Sequence, residues 1–466
     1  MQTLIRHATL VTATSCAPGD LLCDDATGRI LAVGEPEAVA AAAFPDARIV
    51  DATGLHLLPG GVDPHVHAYL PLALTDAKTD YAQCTRAALL GGTTTICDFA
   101  GSGAEADIDA AYARWEETVA DTGAFCDYAW HATVTRFDLE TRRQLEARLA
   151  AGHLRSLKVY LAYKPALAIS DPDLLSLLDF AAANHLVTIA HCEHPDVIPY
   201  LQNHLFASGC TGPDAHEPSR PPFVEAEGVT RFLTLAAATG APAYIAHISS
   251  AAALAAYARF HDDPSLAARF PLLAAETMPH YLLLDDSRTH LPDFQGAKFI
   301  LSPPLRTPAD QDALWQALRD GPLTCLSTDH CPFDFDGQKT LGRDDFRRIP
   351  NGIQGVQERL PLILHHGLRH GLTLSRIVDL AATTPARIFG LSAKGRLAPG
   401  CDADFALWDF RRTQTLTQAT QSIPTDYTPY EGFTAAAPPV AVYLRGRPVV
   451  QSGALLPDLP PLGQLL

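Results

Sequence analysis

Four histidines, one aspartate and one lysine are spaced in a way that points to metal-ligand chemistry. His65-Val66-His67 is a His-x-His pair. In an extended strand, residues two apart point the same way, so both imidazoles can reach one ion. His191, His247 and Asp329 each close an apolar run of strand length, and Lys158 sits inside another. Any one of these alone reads as a hydrogen-bonded structural residue or a snorkelling lysine. Together they require five strands to deliver ligand-type residues to one rim, which chance does not readily supply. Imidazole and carboxylate donors without thiolate favour zinc, with cobalt, manganese or nickel as substitutes. Lys158 fits such a set only after modification. An ammonium cannot ligate, but a neutral amine that takes up carbon dioxide becomes a carbamate, an anion able to bridge two metals.

The elements that would position these residues follow from texture. Strand-sized apolar runs at 57–62, 93–99, 128–134, 156–161, 186–192, 242–248, 271–277 and 323–328 alternate with amphipathic stretches at 81–90, 108–120, 142–150, 173–184 and 225–239. Eight buried strands alternating with helices over some 330 residues predict a parallel (β/α)8 barrel of the α/β class, whose active site lies at the C-terminal ends of its strands. No Gly-x-Gly-x-x-Gly turn follows the first strand, so the usual signal for an open doubly wound sheet is missing. Outside this region the texture is β-like: 3–10, 30–33 and 48–50 near the start, with one helical stretch at 37–43, and 405–408, 440–444 and 448–450 near the end. The expected organisation is a small β domain built from both termini, 1–55 with 390–466, interrupted by a barrel over 56–389.

Composition narrows the function classes. The chain has 466 residues with 35 Lys plus Arg against 52 Asp plus Glu, a net charge of −17 that disfavours nucleic acid and anionic membrane surfaces. Ten scattered cysteines without a Cys-x-x-Cys pair read as reduced thiols. With no signal-peptide pattern at the start and no apolar stretch near the roughly 20 residues needed to span a bilayer, the expectation is a cytoplasmic protein.

Further motifs carry a family resemblance. Leu58-Pro59-Gly60-Gly61-Val62-Asp63-Pro64-His65-Val66-His67, Gly91-Gly92-Thr93-Thr94-Thr95, the run from Ser156 through Lys158 to Tyr163-Lys164, Ser302-Pro303-Pro304-Leu305-Arg306, Pro350-Asn351-Gly352, Pro385 to Leu391 and Asp402-Ala403-Asp404 occur in order along nearly the whole chain. They resemble the dihydropyrimidinase and hydantoinase branch of the amidohydrolase superfamily. The resemblance implies the barrel with a β-sandwich from both termini, and two zinc ions per subunit. His65, His67 and Asp329 would hold one, His191 and His247 the other, and carboxylated Lys158 would bridge them. It implies a metal-activated hydroxide as nucleophile, Asp329 as proton shuttle, Tyr163 as hydrogen-bond donor to the oxyanion, and main-chain groups of Ser302 and Asn351 as the clamp on a cyclic imide. A homotetramer is also implied.

Departures bear on the substrate. Tyr69 stands where related sequences carry Asp, or the substrate-carboxylate Arg of dihydroorotases. Cys192-Glu193-His194-Pro195 replaces the usual Asn after the Glu. Tyr69-Leu70 and the loop 164–169 are expected to wall the pocket against the ring substituent. The expected reaction is hydrolytic opening of a 5,6-dihydropyrimidine or 5-substituted hydantoin to its N-carbamoyl amino acid, with another cyclic amidohydrolase such as an allantoinase as the alternative. A mononuclear deaminase on this barrel would lack the strand-four lysine. A non-catalytic scaffold of this fold would lose ligands, whereas all six positions are filled.

Overall fold

The computed structural model describes residues 1–41, 45–101 and 107–466. Eight parallel strands pair in chain order: β1 (Gly61–Asp63), β2 (Thr93–Ala100), β3 (Asp127–Thr133), β4 (Ser156–Tyr160), β5 (Val187–His191), β6 (Ala243–Ile245), β7 (Leu273–Thr277) and β8 (Cys325–Leu326). The circle closes just beyond the last strand, where the Asp329 amide donates to the His65 carbonyl and the His67 amide to the His330 carbonyl, both at 2.9 Å. Closure therefore runs through the residues that carry the candidate ligands. Arg359, wholly buried, donates to the Val62 and Leu326 carbonyls at 2.9 Å each and ties β1 to β8 from beneath.

Helices start where a side chain can satisfy their free amides. The stretch expected from residue 142 begins at Leu139 because the Asp138 carboxylate accepts from the Thr141 amide at 2.9 Å. Asp80, Asp107, Ser170, Ser250 and Thr307 cap other helices in the same way. The early helical stretch is seen as Pro36–Ala41, and residues 42–44 lie outside the described residues.

Inside the barrel Val62, Cys97, Phe99, Ala129, Ile189, Tyr244, Ala274 and Cys325 form one buried cluster with Ile388, Phe389 and Leu391, which plug the end opposite the site. The last residues join that plug: the Leu466 amide donates to the Tyr128 carbonyl and the Tyr128 amide to the Gln464 carbonyl.

Both termini build one nine-stranded mixed sheet, in the order Ala454–Leu455, Arg447–Gln451, Ala441–Leu444, Phe405–Trp408, His56–Pro59, Gln2–Val11, Cys16–Asp24, Arg29–Gly34, with Arg48–Asp51 on the flank of Gln2–Val11. The single strand expected over 57–62 is two. His56–Pro59 pairs antiparallel with Phe405–Trp408, and only Gly61–Asp63 enters the barrel. Gly60 makes the switch possible, since a Cβ there would lie 2.1 Å from the Thr94 hydroxyl oxygen. Below the barrel, buried Lys394 bonds Asp404 at 2.7 Å, Asp402 at 2.8 Å and Asp127, and Arg445 also bonds Asp127. Three carboxylates that could have held a metal there already surround an ammonium.

Candidate metal centre and pocket

β6 and β8 fall well short of their apolar runs, and the reason lies at the site. After β6 the chain turns at His247 (φ 39°) and after β8 at Asp329 (φ 49°), while Tyr163, beyond β4, has φ 71°. Left-handed backbone at a non-glycine residue costs of order 1–3 kcal/mol and persists where surrounding contacts over-determine it. At these three positions the ladder is abandoned and the side chain enters a pocket.

That pocket, about 360 Å³, opens at the C-terminal ends of the strands. It is lined by His65, His67, Lys158, Tyr163, His191, His247, Ser302, Asp329 and Asn351, so the six candidate ligands and the three candidate substrate contacts all reach it. The imidazoles adjoin one another. Ring centroids lie 5.6 Å apart for His65 and His67, 5.5 Å for His65 and His247, and 4.5 Å for His191 and His247. Asp329 Oδ1 lies 3.2 Å from His65 Nε2 and 3.1 Å from His67 Nε2. Ligand-type atoms of these three residues fall within 4.8 Å of one another, a grouping able to hold a metal ion. Burial acts to raise the Asp329 carboxyl, but the imidazoles of His65 and His67 overcome it and hold the group well below the carboxylate range. Lys158 is wholly buried beside them, its Nζ 4.6 Å from the Phe99 ring centre. Burial pulls its pKa down to about 8 against the attraction of Asp329 and Glu276.

The sequence reading missed Glu276 and Arg220, which help to orient this set. Glu276, at the end of β7, accepts from His65 Nδ1 at 2.5 Å, Ser327 Oγ at 2.5 Å, Tyr244 Oη at 2.8 Å and the His247 amide at 3.3 Å. A carboxylate behind an imidazole sets its tautomer and leaves the far nitrogen free toward a metal. Glu193 does the same for His191, whose Nε2 donates to it at 2.7 Å, and Arg220 holds that carboxylate at 2.6 Å. A charged residue inside the apolar run of β7 was the available signal for Glu276. Arg220 stands in irregular chain and offered none. His280, also in the pocket wall, has both ring nitrogens buried without a hydrogen-bond partner, and burial pulls it down to about 3.

Tyr163 lies with its ring centroid 5.0 Å from that of His191, and burial, only partly offset by Arg220, pushes its hydroxyl up to about 12. It therefore remains a donor at neutral pH. The Ser302 hydroxyl adjoins that of Tyr163, and Asn351 Oδ1 is buried without a partner. The apolar wall is Leu70, Leu72, Leu74, Leu167 and Ile349. Tyr69 departs from expectation: it turns away, packs on Trp115 at 5.0 Å and accepts from Arg114 Nε at 2.9 Å. Of the loop 164–169, Leu167 reaches the pocket while Lys164 pairs outward with Asp196. His194 is accounted for as a cap, its Nδ1 accepting from the Asp196 and Val197 amides ahead of the helix Val197–Ala207.

Residues 56–449 match the model of the amidohydrolase family. The chain is 38% identical to a D-hydantoinase of Rhizobium radiobacter over 97% of its own length and 96% of that protein, and 34% identical to dihydropyrimidinase 2 of Caenorhabditis elegans over 98% and 86%. The crystal structure of a dihydropyrimidinase from Brevibacillus agri superposes with a TM-score of 0.94 at 35% identity, covering all of this chain and 98% of that one. Likeness that runs from end to end, in sequence and in fold alike, makes this chain a member of the amidohydrolase family.

Proposed function

We propose that the protein is a metal-dependent cyclic amide hydrolase that opens 5-substituted hydantoins or 5,6-dihydropyrimidines to N-carbamoyl amino acids. The observation that carries this reading is the convergence of His65, His67, Lys158, His191, His247 and Asp329 on one pocket mouth. The relatives named D-hydantoinase and dihydropyrimidinase support the substrate class.

The donor set suits two divalent ions, with zinc favoured by imidazole and carboxylate ligands. His65, His67 and Asp329 would hold one and His191 and His247 the other, with Lys158, carboxylated on Nζ, between them. Such ions, when bound, bring a water's pKa toward neutrality and polarise the amide carbonyl. Asp329 accepts the proton of the attacking water as its oxygen bonds to the carbonyl carbon. It then delivers that proton to the ring nitrogen as the C–N bond breaks. Tyr163 donates its hydroxyl to the carbonyl oxygen as charge grows there. Main-chain groups of Ser302 and Asn351 hold the imide edge, and the leucine wall receives the ring substituent. The reading includes a homotetramer, which light scattering tests, and the cytoplasm, which ten unpaired cysteines support. Among the described residues no helix is long and apolar enough to cross a membrane.

A spectrophotometric panel of dihydrouracil, dihydrothymine, hydantoin, 5-phenylhydantoin, allantoin and dihydroorotate tests the assignment. Ring opening of the hydantoins or dihydropyrimidines, with dihydroorotate and allantoin left intact, is expected. Preferential turnover of allantoin or dihydroorotate overturns the substrate class.

A further inference from the structure

We propose that Lys339, remote in sequence from every ligand, is the positioning residue of the imide clamp. Its buried ammonium holds the two main-chain segments that present Ser302 and Asn351; this rests on the clamp reading given above. Lys339 opens a one-turn helix, Lys339–Gly342, in the loop after β8, and is 0% exposed. Its Nζ donates to the carbonyls of Pro350 at 2.6 Å, Ile300 at 2.7 Å and Gly352 at 2.8 Å. An ammonium has three protons, and here each meets a main-chain carbonyl. Among the described residues no carboxylate pairs with it. Burial lowers its pKa to about 7 against the opposing pull of Cys331, and the three carbonyls that accept from Nζ favour its protonated form.

A buried cation without a counter-ion is a costly way to fill space. Its value lies in which carbonyls it gathers. Pro350 and Gly352 flank Asn351, and Ile300 precedes Ser302 by two residues. The two segments also meet directly, since the Gly352 amide donates to the Ile300 carbonyl at 3.0 Å. Gly352 sits at φ 141°, where a Cβ would lie 2.5 Å from the Cys331 carbonyl oxygen, so the segment is pressed against the chain that follows β8 with no room for a side chain. The Pro350 carbonyl belongs to the same peptide unit as the Asn351 N–H. An ammonium drawing on that oxygen polarises the N–H and makes it a stronger donor to an imide carbonyl. Lys339 thus fixes the spacing of the clamp and sharpens one of its donors without touching substrate.

The test uses Lys339→Met, which keeps the length and apolar stem, and Lys339→Ala with and without added ethylamine. The expected result, per metal-replete folded enzyme, is a KM for the cyclic imide raised roughly 10–100-fold with kcat within a few-fold, the scale of one charge-assisted hydrogen bond. The amides of residues 351–353 should exchange deuterium at least ten times faster, roughly the same scale, and ethylamine should partly restore both readouts in the alanine variant. A variant that is merely less stable, with KM and exchange at 351–353 unchanged, overturns the role. The exchange readout needs no turnover, so it decides the Lys339 assignment independently of whether the substrate class holds.

Discussion

Glu276→Gln changes one atom and one charge behind the candidate metal centre while keeping the shape. In the native protein Oε1 accepts from His65 Nδ1 and the His247 amide, and Oε2 from the hydroxyls of Tyr244 and Ser327. A glutamine can keep its oxygen toward His65 and turn its NH2 toward the two hydroxyls, which have lone pairs to accept with. The hydrogen-bond count survives, and what is lost is the charge in the bond to His65. A bond to a charged group contributes about 1.5–3 kcal/mol and a neutral one about 1, so the difference is on the order of 1–2 kcal/mol. That is roughly a tenfold loss of metal affinity, the lower end of the 10–100-fold typical of residues that orient metal-binding histidines. Chelator competition, read by elemental analysis of the dialysed protein, measures it, with kcat recorded on the same samples. A glutamine variant whose metal affinity and kcat both stay within twofold of wild type would refute the orienting role.

Lys158→Ala should lose most of its metal and activity, and short carboxylic acids should restore part of both by supplying a bridging carboxylate; two metals per subunit and wild-type turnover in the alanine variant would sink that assignment. Tyr163→Phe should lower kcat by about 10²–10³-fold with little change in KM, because the donor acts as charge develops; unchanged kcat at full metal content would return Tyr163 to packing the loop. Lys394→Met leaves Asp127, Asp402 and Asp404 facing one another without their ammonium, and should cost about 3–5 kcal/mol in urea unfolding. Burial already raises the Asp404 carboxyl despite Lys394. A carboxylate with a raised folded-state pKa loses stability as pH rises, so the variant's deficit should be larger at pH 8 than at pH 5.

The parts of this site that sequence made legible are those whose signal is local. A His-x-His at the end of an apolar run, or a lone lysine inside one, announces itself by residue type and by the alternation that sets which way side chains point. Tyr163, Ser302 and Asn351 were legible only through motif resemblance, since nothing in their own neighbourhoods distinguishes them from loop residues. What stayed hidden depends on distant parts of the chain. Glu276 acquires meaning from His65, more than 200 residues earlier, and Lys339 from three carbonyls that only the fold assembles. The run 57–62 read as one strand because its apolar pattern is continuous, and the division at Gly60 comes from a Thr94 side chain that leaves no room for a Cβ. Proximity to His67 in sequence predicts Tyr69 in the substrate wall, whereas it packs on Trp115 and accepts from Arg114 instead. The shortened β6 and β8 reflect backbone turned at His247 and Asp329 to face the pocket, a cost that apolar periodicity cannot register.

The most direct test is a metal titration of the apo-protein against opening of 5-phenylhydantoin and dihydrouracil, with product identified by mass. No turnover is expected without metal, activity should saturate at two equivalents of zinc per subunit, and the product should be an N-carbamoyl amino acid. Full turnover in metal-free protein, or intact rings with two equivalents bound, would contradict this expectation.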